Sequence, residues 1–160
     1  AHPNIVPYQV FAVSDGHIML AVGNDGQFSQ LCDALGEPGL ATDPRYCSNA
    51  DRVRQRDDLV AHLSSLLGQC NKSDILERLE QRGIPAGPIN SLDEVFNDPQ
   101  VRHRGMQIDL PAPGISGGHV AGVRTPIRFS DSSLNLSRPS PRLGEHTEEI
   151  KAELANMTNA

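Results

Sequence analysis

Tryptophan is absent from this 160-residue sequence, and aromatic residues together make up 4% of it. A core built with so few rings must rely on aliphatic side chains, and at 38% hydrophobic content that core is modest. Cations are also scarce, with 14 Lys and Arg against 20 Asp and Glu, for a formal net charge of −6. A nucleic-acid partner is therefore not expected, because such a surface needs an excess of cations to neutralise phosphates. Apolar runs fall far short of the roughly 20 residues of a spanning helix, so no membrane partner is expected either. The three cysteines, Cys32, Cys47 and Cys70, are widely spaced and form no CxxC pair. That argues against a disulfide framework or a zinc site and for a reducing compartment. A cytoplasmic location is expected, or a mitochondrial one in a eukaryote. The six histidines never fall at metal-ligand spacing, so no metal ligands are assigned. A Walker loop and a dinucleotide fingerprint are both missing.

What is present centres on residues 8–35. Tyr8 to Val13 is rich in β-branched and aromatic residues, Asp15-Gly16 is a hairpin turn signal, and Ile18 to Val22 reads as a second, buried strand. Phe28, Leu31, Cys32 and Leu35 then fall on one helical face. Asn24 is placed to cap that helix, Gln27 to answer the cap, and Gly36 to stop it. A strand feeding a helix through Gly23-Asn24-Asp25-Gly26 leaves backbone N–H groups at the loop, where a ligand could be met.

Further along, a helix of about five turns is predicted from a cap at Asn49, with Val53, Leu59, Val60, Leu63, Leu66 and Leu67 inward and a stop at Gly68. The basic spots at Arg52, Arg54 and Arg56 and at Arg102 to Arg104 read as solvated faces. A third helix spans about residues 73–82, and prolines hold residues 84–89 extended. Ser91 and Glu94 form a capping box, and Asp98-Pro99 starts another short helix. After Gly105 the pattern changes: Met106, Ile108 and Leu110 alternate as in a strand, one or two short strands lie within residues 120–129, and a last helix begins near Gly144. The expected organisation is a leading linker, 1–7; a small α+β domain, 8–105, with an antiparallel sheet and packed helices; and a segment of strands, loop and helix, 106–160. The chain opens Ala1-His2-Pro3-Asn4 without Met and reaches a strand almost at once, as a chain cut from something longer would.

Three places could carry chemistry. In residues 23–28, Asn24, Asp25 and Gln27 could present amides, a carboxylate and helix-start N–H groups to a polar substrate; the alternative, which the residues alone favour, is a well-capped turn. Glu145-His146 invites an acid/base reading, but adjacent residues on a helix diverge and the acidic residues suit a helix start. His2 beside Asn4 could contact a ligand, although a terminus is ordinarily poorly ordered. No nucleophile can be argued from spacing. On these grounds the chain is an acidic α+β domain that could bind a ligand through the Gly23 to Gln27 loop.

The motifs taken in series carry more. His2-Pro3-Asn4-Ile5-Val6-Pro7-Tyr8, Asp15-Gly16, Ala21-Val22-Gly23-Asn24-Asp25-Gly26-Gln27-Phe28, Asp43-Pro44-Arg45-Tyr46, the Asn49, Arg52, Arg56 set, residues 83–89, Asp98-Pro99-Gln100-Val101 and Leu143-Gly144-Glu145-His146-Thr147 resemble, in order, the class III CoA-transferases. The α-methylacyl-CoA racemases are a related branch of that family. The resemblance implies the C-terminal part of a longer, two-lobed protein: residues 8–105 as the small lobe and 106–160 as a segment returning to an absent large lobe. It implies an interlocked homodimer, a coenzyme A thioester and a small carboxylic acid as substrates, and no permanently bound cofactor.

The family's nucleophilic aspartate belongs to the absent half, so no residue of this chain is assigned as catalytic. That aspartate attacks the acyl-CoA thioester to give a mixed anhydride. The released thiolate attacks the aspartyl carbonyl, and the acceptor acid reverses the sequence. In transferases of the family a glycine-rich loop covers the aspartate near the position of His2-Pro3-Asn4, where this chain has no glycine run; in the racemases an acidic residue lies in the loop matching Asn24-Asp25. His2, Asn4, Asn24, Asp25 and Gln27 are thus the expected substrate-binding residues. Two alternatives stand beside a transferase: a racemase of the same fold, disfavoured by the short loop, and a free-standing domain that binds acyl-CoA or a partner.

Overall fold

The structure, a computed structural model, describes residues 1–158. It divides between Asn90 and Ser91 into two compact units. In the first, β1 (Tyr8–Val13), β2 (Gly16–Ala21) and β3 (Ala86–Ile89) form an antiparallel sheet with β2 in the centre. The hairpin pairs Val13 with Gly16, so Ser14 and Asp15 make the turn and Gly16 already opens β2. Strand alternation does the rest: Phe11 and Val13 of β1 and Ile18 and Leu20 of β2 are buried, while Val10 and Ile89 on the other face are exposed. The predicted α+β class, with a small antiparallel sheet and packed helices, is what the chain adopts.

Helix α1 (Asp25–Ala34) places Phe28, Leu31 and Cys32 in the core, on the predicted face. The long second helix is instead two, α2 (Asn49–Arg54) and α3 (Arg56–Leu67), separated at Gln55, whose φ of −105° and ψ of 29° leave the helical region. Ser48 rather than Asn49 caps α2. The Asn49 amide is engaged elsewhere, accepting from Val6 N at 3.2 Å and donating to the Asn4 carbonyl at 2.9 Å. Leu59, Leu63 and Leu67 of α3 are fully buried, each worth about 1.5–3 kcal/mol of apolar transfer. Helix α4 (Lys72–Glu80) is capped by Asn71 and lies against β2 and β3 through its Ile75 and Leu79 face.

The second unit begins with α5 (Leu92–Asn97), under the predicted Ser91–Glu94 capping box, and α6 (Pro99–His103), capped by Asp98. Both helices group with the strands C-terminal to them, although composition alone places a boundary at Gly105, where helix gives way to strand. Composition reports local conformation; the division reflects contacts between elements. Strands β4 (Gln107–Pro111) and β5 (His119–Val123) pair antiparallel, and α7 (Thr147–Thr158) closes the described chain. Here Ala112 is buried, whereas Val123, Ile127, Phe129, Leu143, Ile150 and Met157 are exposed. No helix among the described residues is long and apolar enough to cross a membrane.

Candidate functional site

The loop from Gly23 to Gln27 is the capped turn that its residues predict, with a specific polarity. Asn24 Oδ1 accepts from Gln27 N at 2.8 Å, which fixes the first turn of α1. Gln27 answers one residue earlier than a standard capping box, its Oε1 accepting from Gly23 N at 2.7 Å. Both amide oxygens are thus committed to the chain's own backbone. Among the described residues, Asn24 Nδ2 and Gln27 Nε2 donate no hydrogen bond. Asp25 sits in the first turn, where the helix dipole favours a carboxylate, and its Oδ1 accepts from Arg52 Nη2 at 2.8 Å.

The leading segment is ordered by a different set of bonds. His2 N donates to the Tyr8 carbonyl at 2.8 Å, and the His2 ring stacks on Tyr8 with centroids 5.3 Å apart. His2 Nδ1 accepts from Asn4 N at 3.1 Å, so in the neutral ring Nε2 carries the proton. Arg56 Nη2 donates to the Pro3 carbonyl at 2.7 Å. Val6 and Pro7 are buried, with a cis bond between them, and Pro7 O accepts from Val22 N at 3.0 Å, directly before the loop. The expectation of a poorly ordered terminus is corrected: Asn49, Arg52 and Arg56 bond backbone groups of residues 3, 4 and 6.

The two predicted stretches therefore lie side by side, although no direct bond joins His2 or Asn4 to Asn24, Asp25 or Gln27 among the described residues. What joins them is Arg52, for which the reading as a solvated face is also corrected. Its side chain is fully buried. Nε donates to the Val6 carbonyl at 2.8 Å and Nη1 to the Tyr46 carbonyl at 3.0 Å, while the guanidinium lies 4.4 Å from the centre of the Phe28 ring. One pattern could have exposed it: Arg52 stands seven before Leu59, so it continues the inward stripe of α3 at about two helical turns. Arg54, two positions on and so turned away from that stripe, is exposed, as predicted.

The remaining sequence candidates are chemically quiet. Glu145 Oε2 accepts from Arg142 N at 2.7 Å, so the Glu145-His146 pair forms a turn before α7 rather than an acid/base couple. The three cysteines are free thiols. Cys32 is buried, and burial, aided by the Asp33 charge, pushes its thiol up to about 11, away from nucleophilic use at neutral pH. Among the described residues no group of His, Cys, Asp or Glu is placed to hold a metal ion.

Comparison with known proteins fits the order of the motifs. The sequence profile of CoA-transferase family III matches residues 1–147, and the chain belongs to that family. It is 48% identical over 157 residues to a succinate–glutarate CoA-transferase of Agrobacterium fabrum, covering 98% of this chain and 39% of the relative. It is 37% identical to the human succinyl-CoA:glutarate CoA-transferase, covering 96% of this chain and 35% of that protein. Among solved structures, a CAIB/BAIF family protein from Brucella suis superposes with a TM-score of 0.79 at 49% identity, over 96% of this chain and 39% of that one. The chain thus spans about two-fifths of the length of such relatives.

Proposed function

We propose that the polypeptide carrying these residues moves CoA from an acyl-CoA donor to a small dicarboxylic acid, with residues 2–7 and 23–28 forming part of the surface that faces substrate. The observation that carries the site is the polarity of the loop. Asn24 and Gln27 have their oxygens occupied by Gln27 N and Gly23 N respectively, so each offers an amino group outward. His2 likewise offers Nε2–H. Such a donor-bearing surface suits the oxygens of a carboxylate, which arrives charged, or of a thioester carbonyl, which gains negative charge as it is attacked. Succinate and glutarate are the first acids to try, because the relatives at 48% and 37% identity are named for them.

The nucleophile is proposed to be an aspartate outside these 160 residues. Its carboxylate attacks the thioester carbon and expels CoA thiolate, leaving a mixed anhydride. The thiolate then attacks the aspartyl carbonyl, releasing the donor acid and leaving an aspartyl thioester. The acceptor carboxylate repeats both displacements in reverse, so the aspartate is regenerated and CoA leaves on the new acid. Water must be kept from the anhydride. The ordered leading segment and the capped loop are suited to help exclude it, since neither needs to fold at the moment of reaction. Residues 106–160 are proposed to return to a larger lobe of a homodimer, a reading supported by the exposed Val123, Ile127, Phe129 and Leu143, large apolar side chains that a covering lobe would remove from water.

The test is CoA exchange from succinyl-CoA to glutarate by the natural polypeptide, run beside deuterium uptake from solvent at the α-carbon of the acyl group. Transfer of CoA between the acids is expected. Deuterium uptake without exchange would establish racemase chemistry instead, and neither activity would leave a binding role.

A further inference from the structure

The side chain that unites the two substrate-facing stretches is one whose charge alone reads as solvent-facing. We infer that Arg52 is a positioning residue for the transfer site: its guanidinium holds the Asp25 carboxylate and the segment bearing His2 and Asn4 in fixed relation. This rests on reading those stretches as the substrate-facing surface.

The geometry favours locking over packing. Desolvating a guanidinium is expensive, and apolar residues of like volume fill a core at least as well. Arg52 is fully buried all the same, and its three bonds reach partners 46, 27 and 6 residues away in sequence. Val6 belongs to the leading segment, Asp25 to the loop, and Tyr46 to the turn before α2. The Phe28 ring lies 4.4 Å from the guanidinium, so the stretch that receives the bond also packs against the donor. Asn49 and Arg56 bond the leading segment, yet among the described residues Arg52 is the side chain that bonds both stretches. A lysine could not replace it, because a single ammonium lacks the planar fork that spans three acceptors. Asp25 takes the bond through Oδ1 while its side chain stays 57% exposed, so the pairing offsets a negative charge at a place where an acid must approach.

The test uses the natural polypeptide with Arg52→Lys, Asp25→Asn and both together. Steady-state transfer from succinyl-CoA to glutarate is measured alongside amide hydrogen exchange. Arg52→Lys is expected to stay folded, to lower kcat about tenfold or more, and to change KM for the thioester far less, since misplacement of a positioned group acts chiefly on the transition state. The double variant should be no slower than the slower single one, because both changes cut one link. Exchange should rise in residues 2–7 and 23–28 together. An unchanged kcat in folded Arg52→Lys, or rate losses that multiply in the double variant, would overturn the positioning role. If Arg52→Lys does not fold, Asp25→Asn decides: faster exchange confined to the two stretches supports the link, and unchanged exchange there refutes it. If the parent protein transfers no CoA, the proposed function fails by itself, and exchange still judges the link by whether both stretches loosen or only one.

Discussion

Asn49 clasps Asn4. The Asn49 amide donates to the Asn4 carbonyl at 2.9 Å and, through its oxygen, accepts from Val6 N at 3.2 Å, so one side chain serves two backbone groups 43 and 45 residues away. Asn49→Ala removes both bonds and leaves the part-buried Val6 N–H without a partner. The expected loss is about 1–3 kcal/mol, the usual cost of an unsatisfied buried donor. Asn49→Asp keeps the acceptor and forfeits the donor, so it should fall between the parent and Asn49→Ala. Equal denaturation midpoints for all three proteins would show that the clasp contributes nothing.

Asn24 has two separable duties. Its oxygen caps α1, and its amino group is the proposed contact for substrate oxygens. Asn24→Ala should cost about 1 kcal/mol of stability through the lost cap. Asn24→Asp keeps a capping oxygen at the positive end of the helix but offers a carboxylate to an incoming acid. It is expected to retain stability while transfer slows and KM for the acid rises. Thermal unfolding and acid-dependent kinetics on the two variants check this; an Asn24→Asp enzyme with parental KM would remove Asn24 from the substrate surface.

Thiol reactivity should divide the cysteines. With the Cys32 thiol pushed up to about 11, on the order of one molecule in a thousand is thiolate at pH 8, and the group is buried as well. Cys47 is exposed. Alkylation of the native protein followed by peptide mass analysis should find Cys47 labelled first and Cys32 labelled at the rate of unfolding. Equal labelling of the two would contradict the burial.

Asp43 and Arg45 make an acid-sensitive turn. Hydrogen bonds from the Arg45 guanidinium, the closest at 2.8 Å, and from its backbone N–H hold the Asp43 carboxyl below the ordinary 3.8. A carboxyl lowered by folding contributes stability that is fully present above its unfolded value and is lost as pH falls through the lowered, folded one. A carboxyl-carbon titration should place Asp43 below 3.8 in the parent and return it upward in Arg45→Ala. The same midpoint in both proteins would assign the shift to something other than Arg45.

Much of the fold was legible because its signals are local. The β1–β2 hairpin comes from β-branched residues around a turn, the caps at Asn24, Ser91 and Asp98 from an acceptor placed before a helix start, and the α3 stripe from leucines in helical phase. Each needs only neighbours within a few residues, which is the range over which composition and period carry information. The motifs in order were enough to indicate the family.

What the tertiary structure alone decided lies at longer range. Asn49 looks like a cap, yet it bonds the leading segment and Ser48 takes its place. Arg52 and Arg54 look alike as charges two positions apart, but α2 turns one into the core and the other to solvent. The helix breaks at Gln55 without proline or glycine to announce it. The bonds that order residues 2–7 come mainly from side chains more than forty positions away. A donor's nearest acceptor is set by where the folded chain brings it, and no local period encodes that distance. The amino acids thus determined the elements and the kind of protein, and packing determined which polar groups were spent inside and which were left facing solvent.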